Sequence, residues 1–295
     1  MNGLVSAIIT TYGRKFDFIL RSIKSVKNQT YKNIEIVLVD DNNPESVFRQ
    51  DIELNICRYP QINYVKLEKN SGAQVARNTG IIVAHGEYLA FLDDDDEWMP
   101  EKIEKQMRVL DENVGLVFSK GYIQYENSNL RIDYVTTSNF KSVLQFKDLL
   151  YADYIGTTTQ ALIPKYVFEK IGYFDEKQVA RQDYEMWLRI SKEYTCIGVD
   201  EPLYVHYMHE GEQISKNKEK AISGIENISK KYRNEYKKHP FAGAHIYMIL
   251  GHLYKKVSIK QFVKYKVLFL FYFVAAVFTE PKEIIRLVKE HNAKS

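Results

Sequence analysis

Four consecutive aspartates, Asp93 to Asp96, follow the apolar run Tyr88-Leu89-Ala90-Phe91-Leu92. The run has the length and composition of a buried strand, so the acids fall where the chain leaves the core. Like charges packed there are unfavourable unless a positive group answers them. Side chains two apart on a strand point the same way. Asp93 and Asp95 are therefore expected to share a face and to hold a hard divalent cation through oxygen. A solvated acidic loop is the ordinary alternative, but the strand ahead and Trp98 and Pro100 behind argue against it. Neither a Gly-x-Gly-x-x-Gly nor a P-loop is present, which leaves dinucleotide and P-loop readings without their usual support. What remains is a metal-held diphosphate: a cation on Asp95 could bind two phosphate oxygens and neutralise a departing diphosphate.

Asp41 ends a second apolar run, Ile34-Glu35-Ile36-Val37-Leu38-Val39, in the same way. An ionised carboxylate only accepts hydrogen bonds. It suits a base that presents a ring N–H, such as uracil, thymine or guanine. Read alone, Asp40-Asp41-Asn42-Asn43-Pro44 is better taken as simply a turn, since Asp, Asn and Pro are good turn residues.

These acids need elements that carry them. Residues 4–10 read as a first strand, and Ile19, Ile23 and Val26 follow helical spacing. Asn63 to Leu67 reads as a third strand, Ala73 to Ala84 as a helix broken or kinked near Gly80, and Tyr88 to Leu92 as a further strand. Strands alternating with helices predict an α/β fold with a mostly parallel, Rossmann-like central sheet flanked by helices. Ligands of such sheets bind at the carboxyl ends of the strands. Tyr12, Asp41 and the Asp93–Asp96 run all fall there. Pro100 fits the first turn of a helix, Glu101 complements its positive end, and Ile103, Met107 and Leu110 form its apolar stripe. Val114 to Phe118 and Tyr122 to Tyr125 read as two more strands. Tyr184 to Lys192 reads as a helix with Met186, Trp187 and Ile190 inward.

The chain has 295 residues and 45% hydrophobic residues, enough for a sizeable core. Cys57 and Cys196 have no metal-type spacing, and a reducing cytosol fits them best. The apolar run at Val5 to Ile9 is expected to be a strand and not a signal peptide. Net charge is +3, but residues 1–215 carry 24 Lys+Arg against 32 Asp+Glu, and residues 216–295 carry 17 against 6. An acidic body and a basic tail suggest two jobs, metal binding and contact with an anionic surface.

The motifs also occur in a telling order. Ala7-Ile8-Ile9-Thr10-Thr11-Tyr12-Gly13-Arg14, then Val39-Asp40-Asp41-Asn42, then Asn70-Ser71-Gly72 with Ala76-Arg77-Asn78-Thr79-Gly80, then Phe91-Leu92-Asp93-Asp94-Asp95-Asp96 resemble the nucleotide half of glycosyltransferase family 2. Leu162-Ile163-Pro164 with Phe168-Glu169-Lys170-Ile171-Gly172-Tyr173-Phe174-Asp175-Glu176, and Gln182-Asp183-Tyr184-Glu185-Met186-Trp187-Leu188-Arg189, are similar to its acceptor half. The match covers about residues 4–215. The resemblance implies the GT-A fold, with a nucleotide-sugar half at 1–98, an acceptor half at 99–215 and a helical extension at 216–295. It implies an inverting, metal-dependent hexosyltransferase of the bacterial polysaccharide type, using a nucleotide-diphospho-sugar, UDP in preference, with Mn2+ or Mg2+.

By position, the resemblance makes Asp41 the base reader and places Thr11, Tyr12, Arg14, Arg77, Asp93 and Asp94 on the donor. Asp95 becomes the direct metal ligand, with His209 as a second. Asp183 becomes the catalytic base. A carboxylate of ordinary pKa, about 3.9, is ionised at neutral pH and can take the acceptor hydroxyl proton as attack proceeds. Outside the resemblance, Asp183 reads as a helix N-cap. This chain has Gln182 where many relatives have an acid, and Tyr207 where they often have a basic residue; Gln213 and Ser215 join the same loop. Gln182 keeps open a nucleotide-sugar-binding scaffold without turnover. A sugar nucleotidyltransferase ranks lower, for want of a Gly-rich triphosphate loop.

In the tail, Val267 to Phe278 is an unbroken apolar stretch of 12 residues, against about 20 needed to span a bilayer. Lys255, Lys256, Lys260, Lys264 and Lys266 precede it, and Lys282, Arg286 and Lys289 follow. The expectation is a helix lying in the interface, with lysines on anionic headgroups along residues 255–289, on a cytoplasmic protein peripheral to the inner face of the cell membrane. That location suits a glycan or lipid-linked glycan acceptor. A core helix or a homo-oligomer interface is the competing expectation. No nucleic-acid partner is expected.

Overall fold

The computed structural model describes residues 3–125, 130–134, 140–208 and 218–292. The chain divides into two compact units. The first comprises Met1–Gln145, Tyr154–Glu176 and Met186–Glu210; the second comprises Phe146–Asp153, Lys177–Glu185 and Gly211–Ser295.

The first unit is built on a ten-stranded sheet. Its parallel portion consists of β1 (Val5–Thr11), β2 (Ile34–Asp40), β3 (Ile62–Lys66) and β4 (Tyr88–Asp93), in the order β3-β2-β1-β4. The crossovers are α1 (Phe16–Lys27), α2 (Val47–Ile56) and α3 (Ala73–Val83). Beyond β4 come β5 (Glu97–Trp98), α4 (Lys102–Arg108), β6 (Val114–Tyr125), β7 (Arg131–Tyr134) and β8 (Val143–Leu144). The unit also holds a 3-10 turn at Thr158–Gln160, β9 (Leu162–Pro164), α6 (Lys165–Ile171) and β10 (Thr195–Met208). The sheet continues from β4 through β9, β6 and β10 to β5, with β6 and β10 parallel and the pairs made by β5, β7, β8 and β9 antiparallel.

Alternation along β1 assigns its two faces. Val5, Ala7 and Ile9 join Ile36 and Leu38 of β2 in a core with Ile19, Ile23 and Val26 of α1 and Ile103 and Met107 of α4. Ile8 points the other way, paired in register with Phe91. Phe91 meets Phe168 and Phe174 edge-on at 6.1 and 5.6 Å. Helix α3 lies on this face without a break. Gly80 does not kink it; a Cβ there would stand 2.5 Å from Ile8 Cγ2, so the glycine lets helix and strand approach.

Two other expectations change. The strands expected at Val114–Phe118 and Tyr122–Tyr125 are one strand, β6, because Gly121 is held against the ring of Tyr204 and does not end the pairing. Helix α4 begins at Lys102, two residues after Pro100, and ends before Leu110, which is nevertheless buried.

The second unit is helical: α5 (Phe146–Tyr151), the first turn of α7 (Gln182–Glu193), α8 (Lys218–Lys231), α9 (Arg233–Lys238), α10 (Pro240–Tyr254), α11 (Ile259–Thr279) and α12 (Pro281–Asn292). Tyr151 stacks on Phe241 and His245, with centroids at 4.9 and 4.3 Å. Glu185 is fully buried and ion-paired to Lys231 at 2.6 Å, which ties α7 to α8. The apolar tail segment proves longer than its unbroken run: α11 covers 21 residues.

Candidate active site

Register brings the expected residues together. Thr11 pairs with Asp40, Asp40 with Lys66, and Thr10 with Asp93, so the four parallel strands end at one level. The acid turn starts there. β4 stops at Asp93, and Asp96 N–H bonds back to Asp93 O at 3.1 Å. The strand-alternation argument for Asp93 and Asp95 therefore fails, because Asp95 lies in a turn and not on a strand. Exposure still alternates: Asp94 and Asp96 are buried, whereas the side chains of Asp93 and Asp95 are 30% and 18% exposed.

Each acid has its own positive or hydroxyl partner. Arg77 of α3 donates to Asp93 at 3.1 Å. Thr11 Oγ1 donates to Asp94 Oδ2 at 2.6 Å. Arg14 Nη2 donates to Asp95 Oδ2 at 2.5 Å, with its Nε 3.7 Å from Asp94. Burial first, then the charge of Asp95, pushes the Asp94 carboxyl up to about 7 against the Thr11 hydrogen bond and Arg14. Asp96 faces inward, accepting from Thr159 Oγ1 at 2.7 Å and from His206 Nδ1 at 2.8 Å. Burial raises Asp96 to about 6. Burial opposes the His206 charge, but the Asp96 hydrogen bond and charge prevail and raise it to about 9. At neutral pH the two form an ion pair.

Helix α1 fastens the turn backbone. Ser22 Oγ lies 2.8 Å from Asp96 O and 2.9 Å from Asp94 O, and Arg21 donates to Asp95 O at 2.5 Å. The Arg21 guanidinium lies 3.7 Å above the Tyr207 ring. A cation is thus present beside the position where a basic residue is expected and Tyr207 stands. Sequence reasoning missed Arg21, Ser22, Thr159 and His206, and gave Asp96 no role beyond its place in the acid run. Ser22 left one signal: it is a polar residue inside the apolar stripe Ile19-Ile23-Val26, and such a residue needs a buried partner.

Asp41 is buried at the end of β2. Its Oδ1 accepts from Ser71 N–H at 2.7 Å and its Oδ2 from Gly72 N–H at 2.9 Å. Gly72 has φ 93° as the chain turns into α3. Burial raises the Asp41 pKa despite these two bonds. Asn70 Nδ2 also donates to Oδ2 at 3.4 Å, so the carboxylate shapes the Asn70–Gly72 loop and keeps a lone pair on Oδ1 for a further donor. Its neighbour Asp40 is structural, fully buried with Arg49 at 2.8 Å and the Tyr64 hydroxyl at 2.6 Å. Tyr12 is 60% exposed, between Thr11, whose carbonyl accepts from Asp41 N–H, and Gly13, whose N–H donates to Asn42 Oδ1.

Asp183 belongs to the second unit. It is the second residue of α7 and not its N-cap; Tyr184 N–H donates to Asp183 Oδ1 at 2.8 Å. The helix N-terminus favours its ionised form. Arg181, just ahead, adopts φ 60°, a conformation that costs a non-glycine residue about 1–3 kcal/mol. His209, Gln213 and Ser215 lie outside the described residues.

The donor set fits a hard divalent cation. Asp93 and Asp95 offer carboxylate oxygens at the partly exposed side of the turn, while Asp94 and Asp96 are turned inward. No group of three His, Cys, Asp or Glu gathers among the described residues. One or two carboxylates is the complement that Mg2+ takes from a protein when substrate phosphates complete its shell. Arg21 Nε, buried near the turn, has no hydrogen-bond partner among the described residues.

Residues 6–172 match the family model of Glycosyl transferase family 2. The putative teichuronic acid biosynthesis glycosyltransferase TuaG of Bacillus subtilis is 33% identical over 221 residues, 74% of this chain and 84% of its own. The UDP-Glc:alpha-D-GlcNAc-diphosphoundecaprenol beta-1,3-glucosyltransferase WfaP of Escherichia coli is 30% identical over 227 residues, 77% of this chain and 86% of its own. Among solved structures, S. aureus TarS 1-349 in complex with UDP-GlcNAc superposes with a TM-score of 0.66 at 20% identity, covering 89% of this chain and 79% of that one. The mannosyltransferase PcManGT from Pyrobaculum calidifontis, in complex with GDP-Man and Mn2+, gives 0.64 at 16% identity, covering 99% and 81%. At these identities the structural likeness shows the fold.

Proposed function

The chain belongs to glycosyl transferase family 2 and is a glycosyltransferase of GT-A-type fold, and from that premise we propose that it moves a sugar, with inversion, from a UDP-linked donor to a hydroxyl of a glycan or lipid-linked glycan in surface polysaccharide synthesis. The observation that carries the donor site is the clamp of Thr11 and Arg14 on Asp94 and Asp95, set where four parallel strands end together. WfaP, whose name specifies a UDP-glucose donor and a diphosphoundecaprenol-linked acceptor, supports the donor and acceptor classes. The complex of PcManGT with GDP-Man and Mn2+ supports a divalent ion.

When bound, a divalent ion on Asp95 and Asp93 would offset the charge of the leaving diphosphate. Arg14 and Arg77 hold those two carboxylates in place and add positive charge on the diphosphate side. The remaining lone pair on Asp41 Oδ1 accepts the ring N–H of uracil. Asp183, ionised at the start of α7, takes the proton from the acceptor hydroxyl as that oxygen attacks the anomeric carbon. Membership of a transferase family closes the scaffold reading that Gln182 left open.

Thermal shift with UDP, GDP, dTDP and CDP, each with and without Mn2+, tests the donor site. A specific ligand stabilises the fold in proportion to its occupancy. A Mn2+-dependent rise with UDP supports the proposal, and equal rises with all four nucleotides would remove base reading by Asp41.

A further inference from the structure

Helix α11 turns two unlike faces. On one, Tyr265, Tyr272 and Ala276 are buried. Tyr272 packs over Gly243 of α10, where a Cβ would collide with its ring. Tyr265 stacks with Tyr247 and Tyr254 at 6.1 and 5.5 Å and donates to Glu226 of α8 at 2.5 Å. On the other, Val263, Val267, Leu270, Phe271, Val274 and Phe278 are 48% to 80% exposed. At 3.6 residues per turn these six fall within an arc of about 100°, diametrically opposite the buried three. Lys264 and Lys266 project on either side of that arc, and Lys260 closes its N-terminal end. Lys282 and Arg286 follow on α12, and residues 216–295 carry 17 Lys+Arg against 6 Asp+Glu.

An exposed apolar stripe of this extent marks an interaction surface. We propose that α11 is an in-plane membrane anchor: it lies in the interface of an anionic bilayer, with the valine, leucine and phenylalanine arc in the acyl boundary and the flanking lysines on headgroup phosphates. Two arguments select this occupant. α11, at 21 residues, is long and apolar enough to cross a bilayer. Crossing, however, would strip Tyr265 and Tyr272 from α10 and α8 and expose the Glu226 contact to hydrocarbon. A second copy would use the same patch on both sides. Its basic tail, with 17 Lys+Arg against 6 Asp+Glu over residues 216–295, would then meet another of the same charge, whereas phosphate headgroups neutralise it. The anchor is independent of the transfer chemistry.

Flotation of the full-length protein on phosphatidylcholine vesicles, with and without phosphatidylglycerol, tests the proposal. The wild type should float only with the anionic lipid. Phe271→Glu with Phe278→Glu should stay at the bottom, with an unchanged melting temperature and unchanged transfer to a water-soluble acceptor. Lys264→Gln with Lys266→Gln should lower partitioning roughly fivefold per charge. Phe271→Trp should be quenched by lipids brominated near the headgroup more than by lipids brominated at the chain ends. Failure of the wild type to float, or equal flotation of the double-glutamate variant, overturns the proposal. So does a dimer in sedimentation that the glutamates dissolve, which would assign the face to a second copy. Loss of transfer with flotation intact would count against the enzyme reading and leave the anchor standing.

Discussion

His206→Ala isolates one half of a buried ion pair. Asp96 is fully buried, and without His206 its carboxylate would keep the Thr159 hydroxyl as a donor. Burial holds Asp96 at about 6 even with the imidazolium beside it, so for this carboxyl desolvation outweighs the attraction. The intact pair therefore adds little net stability, but removing one partner of such a pair typically costs about 3–5 kcal/mol. The His206 side chain is 23% exposed, which places the expected loss at the lower end, about 3 kcal/mol. For a chain of this size that is a melting-temperature drop of roughly 5–9 °C. The pH dependence has a definite sign. His206 is raised from 6.5 to about 9, so its contribution is fully present below about 6.5 and is lost as pH rises through about 9. In the variant the lone Asp96 carboxyl relieves itself by taking a proton. The deficit relative to wild type should be largest near pH 6.5 and shrink as pH rises through about 9, where the imidazolium loses its proton. Urea denaturation of wild type, His206→Ala, Asp96→Asn and the double variant measures this. The double variant should lose less than the sum of the singles by at least about 1 kcal/mol. A His206→Ala loss below about 1 kcal/mol at all pH values, with additive singles, would refute the pair as the fastening of the turn.

Four further outcomes follow from the same geometry. Asp183→Asn should lower kcat by about 100-fold or more while leaving the donor KM within a factor of about two, as removal of a general base requires; steady-state kinetics decides it. Asp95→Ala should weaken both Mn2+ and donor binding, read by calorimetric titration of each. Asp41→Asn turns one amide N–H toward the Ser71 and Gly72 N–H groups, so it should cost about 1–3 kcal/mol of stability as well as uracil-nucleotide affinity. Gly80→Ala should destabilise, because about 1–3 kcal/mol of overpacking against Ile8 outweighs a helix-propensity gain of about 1 kcal/mol; a fall in the urea midpoint at constant slope is the readout.

The sheet was legible wherever a strand is a short apolar run closed by polar residues, as at Ile34–Val39 and Tyr88–Leu92. The acid turn was legible as a location but not as a geometry, because alternation holds only while the strand lasts and β4 ends at Asp93. Gly80 read as a break or kink, yet it sits inside α3 against Ile8, and Gly121 sits inside β6 against Tyr204 where two strands were expected. In the tail, Lys264 and Lys266 shortened the apolar run on paper; on a helix they project to the flanks and leave one face continuous over most of α11. The Asp96–His206 pair spans 110 residues and left no local pattern, since neither residue lies at a spacing that implies the other.

The central claim is sugar transfer, and product analysis tests it most directly. Wild-type protein is incubated with a panel of UDP-sugars, Mn2+ and polyprenyl-diphosphate-linked glycan, and lipid-linked product and free UDP are quantified together by mass spectrometry. The account predicts one added sugar per UDP released, loss of both on chelation of the metal, and loss of both in Asp183→Asn with donor binding retained. UDP release without any glycosylated product, or product formed equally by Asp183→Asn, would contradict it.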